Sequence, residues 1–341
     1  VSVLDFGAVG DGVTDDTAAI QAAIDYSQTA NKILTVDAGT YKITATLTTS
    51  STKPLDLRGE GFGPGTNEVG TVFKFYTPAD TLFYIRTGNT AKQSLSNFMC
   101  VNASGGTTEI AMDVAGAFIS ITSVSLYSFQ YGIKGSSTLY CSFADLLINQ
   151  CDYGISLWSY GTPPFVLNIS YYNNVISLKN IQVTDTIIGI RLAGASISLD
   201  NIDVSRFTTY GIQFGSSDFN VTTVNVTNLY FEGFTGTPIY GYGASMTIGS
   251  VFFGQTVTTA FDLYSSVLTL EYAQTYSTVT TLISNNNGKV RLGYVSGTIT
   301  TQIANTNSGV SFNQNPGIGT AQTYTVRVRD AGSAGNVSPT T

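Results

Sequence analysis

Between residues 90 and 310, one short pattern of apolar and polar positions recurs along the chain. Each copy reads apolar, polar, apolar, then a central polar residue, then apolar, polar, apolar and a turn. The clearest copies are ISLKNIQV at 176–183 and ISLDNIDV at 197–204. Alternation with a period of two predicts strands that bury one face, and nothing in this region has the 3.6-residue period of a helix. The pattern therefore predicts an all-β fold.

The central position recurs at a nearly constant spacing. It is occupied in turn by Asn97, Ser123, Asp145, Asn180, Asn201, Asn228, Ser250, Tyr272 and Tyr294. The last three steps are 22 residues each. A second marker, a strand with Gly-Ile at its centre, steps by 22, 35 and 22 through Gly132, Gly154, Gly189 and Gly211. Two markers with one period predict a solenoid, because such units cannot bury their inner faces alone. We expect a parallel β-helix of about nine or ten rungs, with the Asn side chains stacked at one corner and bonded along the axis.

Residues 4–24, LDFGAVGDGVTDDTAAIQAAI, form the most distinctive local string. Thr14 or Asp15 is placed to cap a helix, and the Asp15–Asp16 pair suits the positive end of its dipole. A narrow apolar stripe follows at Ile20, Ala23, Ile24 and Ser27. We interpret the string as a short helix that closes the open end of the core, and we favour capping over a metal or acid–base role for the two acids.

Composition excludes several classes of function. The formal net charge is −7, and only 15 of 341 residues are Lys or Arg, so a nucleic-acid or anionic-membrane surface is not expected. The absence of His excludes a Ser-His-Asp triad and ordinary zinc sites. Three Cys without metal-ligand spacing predict buried free thiols. No apolar run is long enough to span a membrane.

The strings DFGAVGDGVTDDTAAIQAAI at 5–24 and VDAGTYKI at 36–43, followed by the 22-residue units, resemble the pectate-lyase superfamily, in particular its bacteriophage tailspike branch. The resemblance implies a right-handed β-helix and a homotrimer in the virion tail that binds and usually cleaves bacterial surface polysaccharide without a cofactor. Polygalacturonases and fungal glucanases share the N-terminal string. However, this chain lacks the Gly-His-Gly and Arg-Ile-Lys motifs of polygalacturonases, which weighs against pectin hydrolysis.

We divide the chain into an N-terminal cap at 1–28, a β-helix at 29–312 and a C-terminal segment at 313–341 that begins another module or a trimerisation element. Within that segment TYTVRV at 323–328 reads as one strand. The start at Val1 and the polar tail indicate a piece of a longer protein, so contacts with other tail proteins would involve missing segments.

Rung register predicts where chemistry lies, because equivalent positions of stacked rungs are about 4.8 Å apart. In this register Asp203 lies beside Gln182 and Tyr230. Asp185 lies beside Arg206, and Glu232 lies beside Ser205. Asp203 and Glu232 both point outward with Cα atoms about 8 Å apart, which favours an inverting glycosidase over a retaining one. We assign Glu232 as general acid, because aromatic residues flank it, and Asp203 as the base that activates water. Asp185 is a third candidate carboxylate, with Arg206 and Tyr230 binding substrate. The alternative is a surface ion pair between Asp185 and Arg206, with the other two carboxylates merely solvated.

The step of 35 residues is 13 longer than the usual 22, and the extra residues fall in 156–178, just before the charged rungs. This uncharged segment carries the aromatic residues Trp158, Tyr160, Phe165, Tyr171 and Tyr172. Sugar rings stack on such faces, so we expect a substrate-binding loop, with packing against a trimer neighbour as the alternative.

We therefore predict a phage tailspike depolymerase, an endo-acting glycoside hydrolase of a capsule, O-antigen or exopolysaccharide. One alternative is a polysaccharide lyase with a Tyr or Lys base and Arg206, Arg191 or Lys179 as the neutralising cation, although the acidic composition suits an anionic polymer poorly. Others are a non-catalytic receptor-binding spike and a purely structural fibre segment.

Overall fold

The computed structural model describes residues 1–63, 67–88, 91–158, 173–215, 223–306, 309–312 and 326–329. Within these ranges the fold contains a 3-10 helix at Val3–Phe6, a single α-helix, α1, at Thr17–Ala30, and 22 strands. The strands are β1 Asp11–Asp15, β2 Ile33–Val36, β3 Gly39–Ile43, β4 Leu47–Thr48, β5 Leu55–Gly59, β6 Thr71–Phe75, β7 Thr81–Arg86, β8 Gln93–Asn102, β9 Ile110–Ala117, β10 Ile119–Tyr127, β11 Tyr131–Asn149, β12 Tyr153–Leu157, β13 Asn173–Leu192, β14 Gly194–Phe214, β15 Val224–Glu232, β16 Thr237–Tyr242, β17 Ser245–Phe253, β18 Val257–Tyr264, β19 Val267–Asn286, β20 Lys289–Thr306, β21 Gly309–Phe312 and β22 Val326–Arg329.

The strands stack in parallel, each on the equivalent strand of the preceding coil. We call the segments that carry the recurring central position face A; they include 142–149, 177–184, 198–205, 225–232, 247–253 and 269–274. Face B is formed by the segments with the Gly-Ile marker and their continuation, including 188–192, 210–214, 237–242, 257–264 and 279–286. The predicted all-β solenoid of parallel strands is confirmed. Its right-handedness and its number of rungs stay predictions.

The main apolar core runs along the stack, and a second small cluster is formed by Val72, Met99 and Val101. On face B the main core is built by a column of register partners, Ile133, Ile155, Ile190, Ile212, Ile239, Phe261 and Ile283, all with no exposed surface. The core is close-packed, so alternate residues of the same strands must point outward. This parity decides which side chains can meet a ligand.

The recurring Asn position is a structural corner. Asn180 and Asn201 have φ of 52° and 57°, the left-handed region that Asn tolerates better than most residues. The Asn201 amide donates to Asn180 Oδ1 at 3.0 Å, and the Asn180 amide donates to Asp145 Oδ1 at 2.8 Å. A further pair joins Ser250 to Asn228 at 2.5 Å. The expected bonding along the axis is confirmed for these residues, and the backbone conformation adds a second reason for Asn here.

The N-terminal string forms the predicted cap. The stripe at Ile20, Ala23, Ile24 and Ser27 is buried, so α1 covers the first coil as expected. The predicted cap at Thr14 is wrong, because this residue lies in β1 with its hydroxyl bonded to Asp11. The N-cap is Asp16, whose buried carboxyl makes no cap bond.

The acid pair has structural partners. Asp16 instead accepts hydrogen bonds from the N–H groups of Val9 and Gly10 at 2.6 and 3.2 Å, and so fixes the glycine loop. Asp15 bonds the Thr17 N–H and hydroxyl at the first turn of the helix. The described residues contain no group of His, Cys, Asp or Glu that would hold a metal ion.

Three further expectations concern smaller features. The three Cys residues are free and buried, as predicted, and burial raises the pKa of each thiol. Residues 326–329 form β22 and pair in parallel with β20, so this part of the predicted C-terminal module continues the stack. In the part of the chain that the structure describes, no helix has the length and apolarity to cross a bilayer.

Candidate functional site

The outward positions of face A bring together the predicted candidate residues. Gln182, Asp203, Tyr230, Phe252 and Gln274 are consecutive register partners. A second outward row, four positions after the Asn corner, pairs Ser205 with Glu232. The register predicted for these residues is therefore confirmed, and two carboxylates lie on adjacent coils of one surface.

Asp203 is the half-buried carboxyl of the pair. Its Oδ1 accepts a hydrogen bond from the Ser205 hydroxyl at 2.8 Å, while Gln182 approaches Oδ2 only at 3.5 Å. Burial raises the pKa of Asp203 above its ordinary value, and the negative charge of Glu232 raises it further, against the opposing effect of Ser205. Asp203 is thus protonated more readily than a fully solvated aspartate, and Oδ2 is its less occupied oxygen.

Glu232 is exposed and has a different partner. The Tyr230 hydroxyl donates to Glu232 Oε2 at 2.7 Å. This hydrogen bond, together with partial burial and the neighbouring negative charges, raises the pKa of Tyr230 to about 12. Tyr230 therefore stays protonated at neutral pH and orients Glu232, and Oε1 remains available for a further contact.

Gly254 provides the space that this hydrogen bond needs. Its N–H donates to the Phe231 carbonyl at 2.8 Å, which places its Cα against the side chains of Tyr230 and Glu232. A Cβ at this position would lie 3.0 Å from the Tyr230 hydroxyl and 3.1 Å from Glu232 Cβ. Sequence reasoning missed Gly254, although the register places it directly after Glu232 in the same outward row.

Asp185 and Arg206 form a two-point ion pair. Arg206 Nε lies 2.6 Å from Asp185 Oδ1, and Nη2 lies 2.7 Å from Oδ2. The guanidinium lowers the pKa of Asp185, which is therefore a paired carboxylate. The ion pair that sequence analysis kept as an alternative is present, and a catalytic role for Asp185 stays an unsupported prediction. Lys179 and Asp200 form a looser exposed pair at 3.7 Å on the same face.

The aromatic loop is only partly described. Trp158 is 2% exposed, and the Arg191 guanidinium lies 3.8 Å from its ring centroid, so the ring does not present a free face to a sugar. This corrects the expectation that Trp158 is an open stacking platform. The other predicted stacking residues, Tyr160, Phe165, Tyr171 and Tyr172, lie outside the described residues.

A different set of aromatic side chains lies beside the carboxylates, toward the C-terminal end of face A. Tyr276 is 68% exposed and Tyr294 is 52% exposed. Tyr272 stacks on Tyr294 with centroids 5.7 Å apart and ring planes 9° apart, and Phe252 lies 5.9 Å from Tyr272. Phe252 is also the register partner of Tyr230. The sequence carried a clue to this surface, because the corner position changes from Asn228 and Ser250 to Tyr272 and Tyr294.

Comparison with known proteins places the chain in a family. A model described as "Rhamnogalacturonase A/epimerase, pectate lyase-like" matches residues 1–228. The chain belongs to this family. The predicted resemblance to pectate-lyase-like β-helix proteins is thereby confirmed. The matched region includes Asp203 and ends before Glu232.

Solved structures with the same fold share little sequence with the chain. The A-module of mannuronan C-5 epimerase AlgE6 from Azotobacter vinelandii has a TM-score of 0.59 and 16% identity, covering 93% of this chain and all of that one. Tailspike protein 2 of the Escherichia coli O157:H7 bacteriophage CAB120 has a TM-score of 0.57 and 12% identity, covering 84% of this chain and 42% of that one. At these identities the likeness concerns the fold.

One curated relative matches locally. A glucan 1,3-beta-glucosidase of Cochliobolus carbonum is 49% identical over 47 residues, which is 14% of this chain and 6% of the relative. The description of the matched family names carbohydrate-active enzymes, and the fold is pectate-lyase-like.

Proposed function

We propose that the protein is the polysaccharide-cleaving part of a phage tailspike. It hydrolyses internal glycosidic bonds of a bacterial surface polysaccharide. The observation that carries this proposal is the pairing of Asp203 and Glu232 on adjacent coils of one outward surface. Strand geometry gives a Cα separation of about 8 Å, compatible with the 6.5–9.5 Å between the carboxyl groups of inverting glycosidases.

The environments of the two acids support a reversal of the roles assigned from sequence. Asp203, whose pKa is raised by burial, takes the role of general acid and protonates the glycosidic oxygen through Oδ2. Glu232 is the base: Tyr230 holds Oε2, and Oε1 accepts a proton from the attacking water. The bond between the sugar carbon and the leaving oxygen breaks as water attacks from the opposite side, which inverts the anomeric configuration.

Two contacts make the lyase alternative less favourable. A lyase needs a deprotonated base, yet Tyr230 has a pKa of about 12 because it donates to Glu232. It also needs a cation to neutralise the uronate, and Arg206 is engaged by both oxygens of Asp185. Because the protein has a net charge of −7, an uncharged or weakly charged polymer is the better substrate.

The second candidate is a receptor-binding spike without catalysis. The exposed aromatic rings of Tyr276 and Tyr294 favour it, because they offer stacking faces to a sugar whether or not the carboxylates react. In either case the homotrimer, the location in the virion tail and contacts with other tail proteins belong to the proposal, supported by the tailspike fold neighbours.

The test is incubation with a panel of purified capsular, O-antigen and exopolysaccharides, while new reducing ends and the absorbance of unsaturated uronate are followed. We expect reducing ends without absorbance, and a loss of about 10²–10⁴-fold in Asp203→Asn and in Glu232→Gln. Asp200→Asn is the matched control on the same face. Absorbance would point to a lyase, and binding without either change would point to the receptor-binding spike. Proton NMR of the first-formed anomer tests inversion.

A further inference from the structure

A second group of aromatic and polar side chains lies on face B. Tyr240, Asp262 and Ser284 are register partners on three successive coils, and Tyr242 pairs with Tyr264 one row further. These positions alternate with the buried column of face B, so the side chains project outward while their inner neighbours fill the core.

The tyrosine rings form a continuous surface. Tyr210 and Tyr240 have centroids 4.9 Å apart, Tyr240 and Tyr264 are 5.8 Å apart, and Tyr242 and Tyr264 are 6.4 Å apart. All four side chains are partly exposed. Rings held this way expose flat apolar area at little entropic cost on binding, because their own contacts already fix them.

Asp262 is the acid of this surface. Burial raises its pKa, while hydrogen bonds from Ser284 and Tyr264 act in the opposite direction. In the segments 207–215, 233–244, 255–266 and 277–288, which build this part of face B and the adjoining turn, no other Asp, Glu, Lys or Arg occurs. Within these segments a ligand therefore meets hydroxyl groups and one carboxylate. Two cations adjoin the segments and both have partners: Arg206 pairs with Asp185, and the Arg191 guanidinium lies over the Trp158 ring.

An open groove of about 410 Å³ adjoins the tyrosines at the turn between the two faces. Tyr210 lines it, and most of the other lining side chains carry hydroxyl groups: Thr208, Thr209, Thr235, Thr237, Thr256, Thr258 and Thr259. Gln255 spans the groove wall by bonding the N–H and the carbonyl of Phe234, at 3.0 and 2.6 Å. The groove and the tyrosine surface thus form one strip rich in hydroxyl groups.

We propose that this strip is a second carbohydrate-binding site, which takes an uncharged oligosaccharide and does not depend on the Asp203–Glu232 pair. Sugar rings stack on Tyr240 and Tyr264 through their C–H faces. Sugar hydroxyls donate to the Asp262 carboxylate and exchange hydrogen bonds with the threonines of the groove. A uronate meets repulsion from Asp262, so the site discriminates against acidic glycans.

The experiment uses the full chain with Asp203→Asn and Glu232→Gln combined, which removes turnover at the first site. An array of uncharged and uronate-containing oligosaccharides is probed with this protein and with further variants on the same background. We expect binding to uncharged glycans, weakened about tenfold or more by Tyr240→Ala and by Tyr264→Ala. Tyr240→Phe keeps the ring and should retain most of the binding, which separates loss of the platform from loss of fold.

Three further variants make the outcome decisive. Tyr140→Ala removes an exposed tyrosine of β11 that lies outside both surfaces, and it should leave this binding unchanged. Tyr294→Ala reports the binding that takes place on face A. Asp262→Asn should improve the binding of uronate-containing glycans, because it removes the repulsion while it keeps the shape. The proposal is overturned if the disabled protein binds no glycan on the array. It is also overturned if Tyr294→Ala weakens binding while the Tyr240 and Tyr264 variants do not. Reducing-end release by the unmodified protein is scored separately, so failure of hydrolysis does not decide this test.

Discussion

Gly254 has no side chain, and this allows a test of how Glu232 is oriented. In Gly254→Ala the new methyl group would lie 3.0 Å from the Tyr230 hydroxyl and 3.4 Å from Glu232 Oε2. Unbonded heavy atoms prefer a separation of about 3.5 Å or more, so the phenol must move by about 0.5 Å. The hydrogen bond between Tyr230 and Glu232, 2.7 Å long, then lengthens or breaks.

The expected magnitude follows from the type of hydrogen bond. A bond to a charged group contributes about 1.5–3 kcal/mol when intact. Glu232 is exposed, so water replaces part of the loss, and we expect about 1 kcal/mol, or about fivefold slower hydrolysis. The pKa of Tyr230 should fall from about 12 toward the ordinary value near 10, because its acceptor is lost.

Two assays check this prediction. Tyrosine titration by carbon-13 NMR, with Tyr230→Phe to assign the resonance, reports the pKa of Tyr230. Reducing-end kinetics of Gly254→Ala, Tyr230→Phe and the double variant report coupling: if both changes act through one hydrogen bond, the double variant should be no slower than Tyr230→Phe alone. The reasoning would be refuted if the titration of Tyr230 were unchanged in Gly254→Ala. It would also be refuted if Gly254→Ala slowed hydrolysis equally in the wild-type protein and in Tyr230→Phe.

Three other changes test the fold and the site by thermal or urea unfolding. Asp203→Asn should stabilise the protein at pH 7, because a buried charge is removed. The gain should vanish below about pH 4, where Asp203 is protonated in both folded and unfolded states; no gain at pH 7 would contradict its raised pKa. Asn201→Ala should lower the free energy of unfolding by about 1–2 kcal/mol, because Ala adopts the left-handed φ of 57° at this position less readily than Asn. Asn201→Gly should lower it by less, and the reverse order would exclude backbone strain as the cause. Ile24→Ala should cost about 2–5 kcal/mol, whereas exposed Tyr26→Ala should cost little; equal costs would mean that α1 does not seal the core.

Much of the fold could be predicted because a solenoid repeats one local rule. The alternation around Asn180 and Asn201 defines strand, parity and register together, and the register then predicted the Asp203–Tyr230 and Ser205–Glu232 pairs. Cap details were harder to predict. Thr14, Asp15 and Asp16 all suit an N-cap chemically, and only the path of the glycine loop directs the Asp16 carboxyl to Val9 and Gly10.

The electrostatic roles within the site could not be read from neighbours in sequence. Phe231 flanks Glu232 along the chain, but it points into the core with no exposed surface, while Glu232 points to solvent. It is Asp203 that is half-buried, and this burial raises its pKa. The exposure of the Trp158 ring was predicted wrongly for a related reason, because the composition of the segment does not show that the Arg191 guanidinium covers this ring.

The stacking of equivalent strands also affects how such a protein can change over evolutionary time. Asp203 and Tyr210 belong to one strand, β14, while Glu232 and Tyr240 belong to the coil above it. Duplication or loss of a whole coil elsewhere leaves the spacing of these residues intact, whereas a single-residue insertion between them inverts the side chains that follow. Chemistry confined to two neighbouring coils can therefore be inherited as a unit, while the rest of the solenoid lengthens, shortens or exchanges its surface.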